Sequence, residues 1–344
     1  MIRATRYVNL VSQFRQDNIT KHWVLIAPKR ALRPDALNTE PASENNLPEH
    51  DASCIFCPGN EHFNPDTILS LPSEKNWQIR VIPNKFETLS HKMASPLERG
   101  TDDFYLSRPG VGDHEVIIMR AHNLPLALQP VSDVELSIKS WLARMIDLQD
   151  HAEVRYTHII QNHGKLSGAT VAHPHFQLFT LPFVPDHVRD EMAGAAAYYR
   201  EHDRCVYCEL IERETKSGSR VILDNEDYLV FCLFASRAPF QMRIIPKKHR
   251  ASFTDITAAE QKNLAKTLKE VLHKIYLKLN NPSYNFYIHT IPLCTPKPAF
   301  CDPNSYHWHL EILPRINLWA GFELGTEIYV NPVAPEDAAE LLRS

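Results

Sequence analysis

The chain has 344 residues, 44% of them hydrophobic, with a formal net charge of −4. That supplies enough apolar material for one large or two ordinary cores, and the acidic balance argues against nucleic acid as the main partner. The opening MIRATRYVNLVSQFRQDN has no apolar h-region and no run reaches the ~18 apolar residues of a membrane span, so the expectation is a cytoplasmic protein with no membrane partner.

In chain order, residues 38–53 (NTEPASENNLPEHDAS) are polar and contain proline, which predicts an exposed loop. They lead into Cys54-x-x-Cys57. The seven cysteines are Cys54, Cys57, Cys205, Cys208, Cys232, Cys294 and Cys301. An odd count without a secretion leader argues against a disulfide framework and turns the two close pairs toward metal or redox chemistry. Neither pair precedes a βαβ pattern, which disfavours a thioredoxin-like redox site. After His122, the spacing Ser132-x-x-Glu135 reads as a capping box and predicts a helix to about residue 151. A β-rich run, RYTHIIQNH, covers 155–163; a glycine-bearing loop then leads to His173-Pro174-His175-Phe176-Gln177. DHVRDEMAGAAAYYREH, over 186–202, predicts another helix, and the chain divides near 195–204 into an N-terminal half, 1–197, and a C-terminal half, 198–344.

The second half repeats the pattern. Cys205-x-x-Cys208 is followed by His249, then Thr257-x-x-Glu260 opening a helix in which Leu264, Leu268, Val271, Leu272, Ile275 and Leu279 recur at three and four. The β-rich run YNFYIHTIP (284–292) and a loop over 294–305 lead to His307-Trp308-His309-Leu310-Glu311. Strands outnumber helices in both halves. The expected fold class is α+β, each half an antiparallel sheet covered by a helix.

A CxxC turn supplies two thiolates, and histidines from elsewhere in the chain complete a Cys2His2 tetrahedron. The first candidate set is Cys54, Cys57, His122 and His173; the second is Cys205, Cys208, His249 and His307. Four filled positions leave no place for a reacting water, so structural metal is expected. On a strand, the two histidines of an HxH share a face. With His173 on the metal, His175 is left to the cleft, where a neutral imidazole is a competent nucleophile toward phosphorus; activity is then expected to fall below about pH 6. Gln177 lies on the same face. Asn162 to Thr170 carries two of only ten glycines together with Ser167 and Lys165, suited to turning backbone N–H groups toward a phosphate. In the second half the preceding loop lacks glycine and Glu311 stands in place of Gln177; a carboxylate repels a phosphoanion where an amide donates to it, which assigns the chemistry to half one.

These motifs, with Trp23 to Pro34, Cys54-Ile55-Phe56-Cys57-Pro58-Gly59-Asn60, Val81-Ile82-Pro83-Asn84-Lys85-Phe86 and Gly321-Phe322-Glu323-Leu324-Gly325-Thr326, resemble the class I galactose-1-phosphate uridylyltransferase family, a branch of the histidine-triad superfamily. The resemblance implies two histidine-triad-like halves, a homodimer with active sites near the interface, zinc at both sites with iron an alternative at the second, and a place in galactose and carbohydrate metabolism. It further implies ping-pong transfer in which His175 attacks the α-phosphorus of a nucleotide sugar and Gln177 stabilises the phosphoryl oxygens. By the same resemblance Asn162, Ser167 and Thr170 line the phosphate pocket, Arg30 and Arg33 neutralise phosphate charge, Phe56, Asn84 and Phe86 form the nucleoside pocket, and Phe322 and Glu323 contact the sugar. Phe176 departs from the small residue many uridylyltransferases carry there, and the GFELGT block is closer to the ADP-glucose phosphorylase branch, which passes AMP to inorganic phosphate. The leading expectation is a UDP-glucose–hexose-1-phosphate uridylyltransferase. The alternatives are phosphorolysis of ADP-glucose or a dinucleoside polyphosphate, and, in another class, a non-catalytic zinc-stabilised nucleotide-binding module.

Overall fold

The computed structural model describes residues 11–33, 37, 41–42, 47–91, 104–105, 107–293 and 301–344. Most of the N-terminal segment read for a leader, Pro34, Cys294, part of the loop expected at 38–53 and most of that at 294–305 lie outside the described residues. Strands and helices are numbered in chain order.

One antiparallel sheet runs through both halves. From edge to edge it contains β3 (Leu69–Leu71), β4 (Ile79–Pro83), β5 (His114–Met119), β7 (His175–Leu181), β6 (Tyr156–His163), β11 (Tyr284–His289), β12 (His309–Pro314), β10 (Met242–Pro246), β9 (Tyr228–Cys232) and β8 (Val221–Asp224). Counted inward from either edge, each half lays down its first, second, third, fifth and fourth strands, so the duplication seen in the motifs is also a duplication of topology. The halves join where β6 pairs with β11, with Tyr284 opposite His163 and Tyr287 opposite Ile160. The sequence predicts a sheet for each half; fusing them removes two unpaired strand edges, which would otherwise expose backbone donors and acceptors.

One face of this sheet carries the main core. Helices α1 (Val131–Leu148) and α4 (Ala258–Lys278) lie against each other there, and Ile138, Trp141 and Met145 join Leu264, Leu268 and Ile275 over Phe176, Leu178, Phe286, Leu310 and Ile312. Each fully buried side chain of this size contributes about 1.5–3 kcal/mol relative to exposure. The capping box expected at Thr257 and Glu260 is present, with Thr257 N–H donating to Glu260 Oε2 at 2.7 Å. The one expected at Ser132 is not. Pro130 caps α1 two residues early, so Ser132 falls in the first turn and its hydroxyl donates to Asp133 instead, while Glu135 pairs with Lys139 at 2.8 Å; the helix ends at Leu148, short of residue 151.

The other face differs between the halves. Over half two, α2 (Asp186–His202) and α3 (Val206–Ser217) bring Val188, Met192, Ala195, Val206 and Tyr207 down on Leu229, Phe231 and Ile245. Over half one, among the described residues, lies the smaller cluster of Phe56, Trp77, Ile82, Val116 and Ile118. Consequently β7 alternates, with Phe176, Leu178 and Thr180 buried and His175, Gln177, Phe179 and Leu181 partly exposed, whereas β12 is buried on both faces.

A second, three-stranded sheet ties the chain ends together: β1 (Gln13–Gln16) pairs with β2 (Trp23–Ile26), which pairs in parallel with β13 (Tyr329–Asn331), just beyond the short helix α5 (Gly321–Thr326). The last helix, α6 (Pro335–Arg343), adds Ala338, Ala339 and Leu342 to the main core. Cys301 is disulfide-bonded, one crosslink where the odd cysteine count spoke against a framework; Cys54, Cys57, Cys205, Cys208 and Cys232 are free thiols. Among the described residues, no helix is long and apolar enough to cross a membrane.

Candidate active site and metal centres

Cys54, Cys57, His122 and His173 converge as their spacing predicts. Cys57 Sγ lies 3.2 Å from His122 Nδ1 and 3.8 Å from His173 Nδ1, Cys54 Sγ is 3.6 Å from His173 Nδ1, and the two Nδ1 atoms are 3.0 Å apart. Tetrahedral ligands at zinc bond lengths are separated by about 3.3–3.8 Å, so the four atoms already mark the corners of such a site. His173 Nε2–H donates to Met119 O at 2.5 Å, which leaves the Nδ1 lone pair toward the thiols, the usual arrangement behind a metal-bound histidine. Burial pushes the His173 imidazole down to about 4 and keeps it neutral. The donors suit a structural zinc ion, holding the loop after Cys54 to the start of β7.

Cys205, Cys208, His249 and His307 form the matching set in half two. Cys208 Sγ is 3.4 Å from His249 Nδ1 and 3.8 Å from His307 Nδ1, and His249 Nε2–H donates to Pro303 O at 2.9 Å. This set is more open, with His249 exposed and Cys208 half-buried. Its donors fit the same kind of ion.

His173 precedes β7 and His175 begins it, so the HxH straddles a strand start rather than lying within a strand. The result still separates the two rings. His175 Nδ1–H donates to His173 O at 2.8 Å, which puts the proton on Nδ1 and the lone pair on Nε2. The ring lies beside Phe56, centroids 5.4 Å apart, on the partly exposed face that also carries Gln177. The loop after β6 turns through Gly164 at φ 78° and Gly168 at φ 88°, with a 3-10 turn over Lys165–Ser167 between them. Gly164 is required sterically as well: a Cβ there would sit 2.3 Å from Ser283 Oγ. Asn162 Oδ1 accepts from Asn285 Nδ2 at 2.7 Å, and Asn285 also donates to Ser167 O at 2.9 Å, so half two shapes this loop of half one. Ser167 Oγ donates to Gly164 O at 2.6 Å, and Thr170 is exposed nearby.

The remaining predicted residues fall into two groups. Asn84 and Phe86 follow β4, near β5; Phe86 is 81% exposed, and the Asn84 amide closes its own turn by accepting the Phe86 N–H at 2.9 Å. Arg30, Arg33 and Glu323 instead line a separate cavity of about 250 Å³ with Leu166 and Arg315, a cavity that does not include His175 or Gln177, while Phe322 is half-exposed on α5 beside Glu323. Sequence reading missed Asn285, Arg315 and His114. The signal for His114 lies in its strand, since HEVIIM carries one imidazole at the edge of an otherwise apolar open face.

The corresponding place in half two is filled. Glu191 of α2 is buried, accepts from His289 Nδ1 at 2.9 Å and Tyr306 OH at 3.2 Å, and lies 3.6 Å from His309 Nε2. Glu311 accepts from Arg243 Nη2 at 2.5 Å, Gln241 Nε2 at 3.0 Å and Tyr287 OH at 2.9 Å. Burial raises the Glu311 carboxyl, but Arg243 and Arg237 outweigh it and hold it well below the usual range. His309 is fully buried, and burial, followed by Arg243, pushes it down to about 4.

Comparison with known proteins accords with this geometry. The family model of the galactose-1-phosphate uridyl transferase N-terminal domain matches residues 4–185, and that of its C-terminal domain matches residues 191–344. The chain belongs to the galactose-1-phosphate uridyl transferase family. Within it, an ADP-glucose phosphorylase of Arabidopsis thaliana is 33% identical over 97% of this chain and 93% of its own length. The galactose-1-phosphate uridylyltransferase of Thermotoga maritima is 27% identical over 96% of this chain and 98% of its own. The crystal structure of an Arabidopsis ADP-glucose phosphorylase with bound ADP-glucose superposes with a TM-score of 0.83 and 31% identity, covering 97% and 98% of the two chains. This galactose-1-phosphate uridyl transferase family member is thus a nucleotidyltransferase-family enzyme with an α+β fold.

Proposed function

We propose that His175 carries a nucleoside monophosphate between a nucleotide sugar and a second phosphate-bearing acceptor. The carrying observation is the Nδ1–H bond to His173 O, which leaves a nucleophilic lone pair on Nε2 on the face shared with Gln177. In the first half-reaction Nε2 bonds to the α-phosphorus and the bond from that phosphorus to the bridging oxygen breaks, releasing a sugar 1-phosphate. In the second, a phosphate oxygen of the acceptor bonds to the same phosphorus and the imidazole leaves with its electron pair. Both are in-line displacements, so positioning and charge stabilisation carry the rate. Gln177 and the N–H groups of the loop from Asn162 to Thr170 face the phosphoryl oxygens. Zinc in each Cys2His2 set holds structure and takes no part in the displacement. Arg30, Arg33 and Glu323 line a cavity that reaches Leu166 of the same loop but is not lined by His175 or Gln177, and the reading includes a homodimer whose second protomer supplies sugar and phosphate contacts.

Two donors fit this chemistry. UDP-glucose with a hexose 1-phosphate acceptor is the reading that the N-terminal motifs resemble. ADP-glucose with inorganic phosphate is favoured by the higher identity to the Arabidopsis phosphorylase, 33% against 27% for the Thermotoga uridylyltransferase. Mass spectrometry after brief exposure to each nucleotide sugar separates them: the protein gains AMP or UMP on the peptide containing His175. No adduct with either, and no release of sugar 1-phosphate, would overturn the proposal.

A further inference from the structure

A glutamine amide presents an acceptor and two donors, and rotation about its last bond exchanges them. Toward a phosphoryl group only the N–H2 end stabilises; the carbonyl end repels. A neighbour that fixes this choice is worth a substantial part of the residue's contribution.

His114 is placed to do so. It starts β5 opposite Phe179, two residue pairs along from the Val116–Gln177 pair, so it sits diagonally from Gln177 on the open face. Its ring stacks on Phe179, centroids 4.1 Å apart and planes at 24°, which fixes the ring position. Two contacts then fix its proton. The backbone N–H of Thr88 donates to Nδ1 at 3.1 Å, and a backbone amide has no alternative polarity, so Nδ1 is the acceptor. The ring proton is therefore on Nε2, which donates to Gln177 Oε1 at 2.8 Å. Asn84 Nδ2 lies 3.0 Å from the same Nε2 but makes no hydrogen bond to it in this tautomer, since both atoms carry hydrogen; Asn84 Oδ1 accepts the Phe86 N–H. Burial depresses the His114 pKa and keeps the ring neutral with this single donor.

We propose that His114 is a positioning residue: its Nε2–H holds the carbonyl oxygen of Gln177, so that the Gln177 N–H2 is presented to the transferring phosphoryl group beside His175. The proposal rests on the reading of His175 as the nucleotide carrier. It adds a chain of fixed polarity, from the Thr88 backbone through imidazole and amide to substrate, in which each member orients the next. Water in place of His114 could bond either end of the amide and would leave its direction unset.

The test has two independent arms. First, in the full-length protein, 15N NMR of the His114 imidazole, assigned by its loss in His114→Phe, reports the tautomer without any substrate. Protonation at Nε2 is expected, and protonation at Nδ1 would overturn the proposal while leaving the nucleotide-carrier reading intact. Second, the single-turnover rate of His175 labelling by ADP-glucose and UDP-glucose is measured in wild type, His114→Phe, His114→Gln, Gln177→Ala and the double variant His114→Phe/Gln177→Ala. Phenylalanine keeps the ring and its stacking but has no donor; it is expected to slow labelling about 10- to 100-fold with little change in donor affinity. Glutamine keeps a donor near the Nε2 position and is expected to recover most of the rate. In the Gln177→Ala background, His114→Phe should have no further effect. Equal losses from His114→Phe with and without Gln177, or no rescue by His114→Gln in a protein that melts like wild type, would assign His114 a purely structural role. A wild-type protein that labels with neither donor would instead remove the underlying reading, and the role in transfer with it, whatever the tautomer.

Discussion

His175 and His309 make the same bond in the two halves: each donates its Nδ1–H to the carbonyl two residues upstream, at 2.8 and 3.0 Å. The backbone device that sets the Nε2 lone pair was duplicated with the fold. Access was not. His175 opens on a partly exposed face, while His309 is fully buried beneath α2 with Glu191 3.6 Å from its Nε2. Only one of the two copies can meet a nucleotide.

Substitution at the two histidines should therefore separate activity from stability. His175→Ala is expected to abolish covalent labelling with a melting temperature near wild type. His309→Ala should still label, and should lose about 1–3 kcal/mol of stability from the cavity it leaves. Labelling assays and urea unfolding on both variants check this; labelling that survives in His175→Ala and disappears in His309→Ala would reverse the assignment.

The metal clusters give a second contrast. Cys57→Ser should release the ion of the first set and slow labelling, because that set anchors the chain entering β7 and His173 hands its carbonyl to His175. Cys208→Ser should release only the ion of the second set and lower the melting temperature with labelling largely retained. Elemental analysis alongside single-turnover rates reads both effects.

Gly164 and Gly168 should respond differently to alanine. Both have positive φ, but a Cβ at Gly164 meets Ser283 Oγ at 2.3 Å whereas at Gly168 nothing lies within 4 Å. Gly164→Ala is expected to cost more than about 2 kcal/mol and to displace the phosphate loop, cutting the labelling rate at least about tenfold; Gly168→Ala should cost about 1 kcal/mol of backbone strain. Denaturant midpoints and labelling rates of the pair decide it.

Acid stability should depend on Glu311. Its folded carboxyl is held below the unfolded value of 4.5 by Arg243 and Arg237 against the cost of burial, so its contribution is fully present above about pH 4.5 and is lost as pH falls through the folded value. Glu311→Gln leaves Arg243 buried beside a neutral amide. It should destabilise at pH 7 by about 3–5 kcal/mol and flatten the decline in stability below about pH 4.5. Urea titrations from pH 7 to 3 on both proteins measure the two slopes.

If the arginine cavity serves the partner's His175, mixed protomers should complement. An inactive His175→Ala protein and a weakly active Arg33→Ala protein are expected to regain activity when subunits are exchanged, because one site of the mixed dimer combines an intact His175 with an intact Arg33. Size-exclusion chromatography establishes the dimer, and no recovery after verified exchange would place Arg33 in its own chain's site.

Residue identity and order were sufficient to group the two Cys2His2 sets and to place the helices at 186–202 and after Thr257, and they carry the proposal of His175 over His309. Ligand types, helical period and the contrast between Gln177 and Glu311 are local properties written directly in the chain. The fusion of two half-sheets through β6 and β11, the covering of His309 by α2, and the gathering of Arg30, Arg33 and Glu323 around one cavity with Leu166 were settled only by tertiary structure. Those depend on which surfaces far apart in sequence find partners. The same holds for His114: its type is visible in the sequence, but its polarity is set by Thr88 and spent on Gln177, 63 residues away along the chain and 2.8 Å away across the sheet.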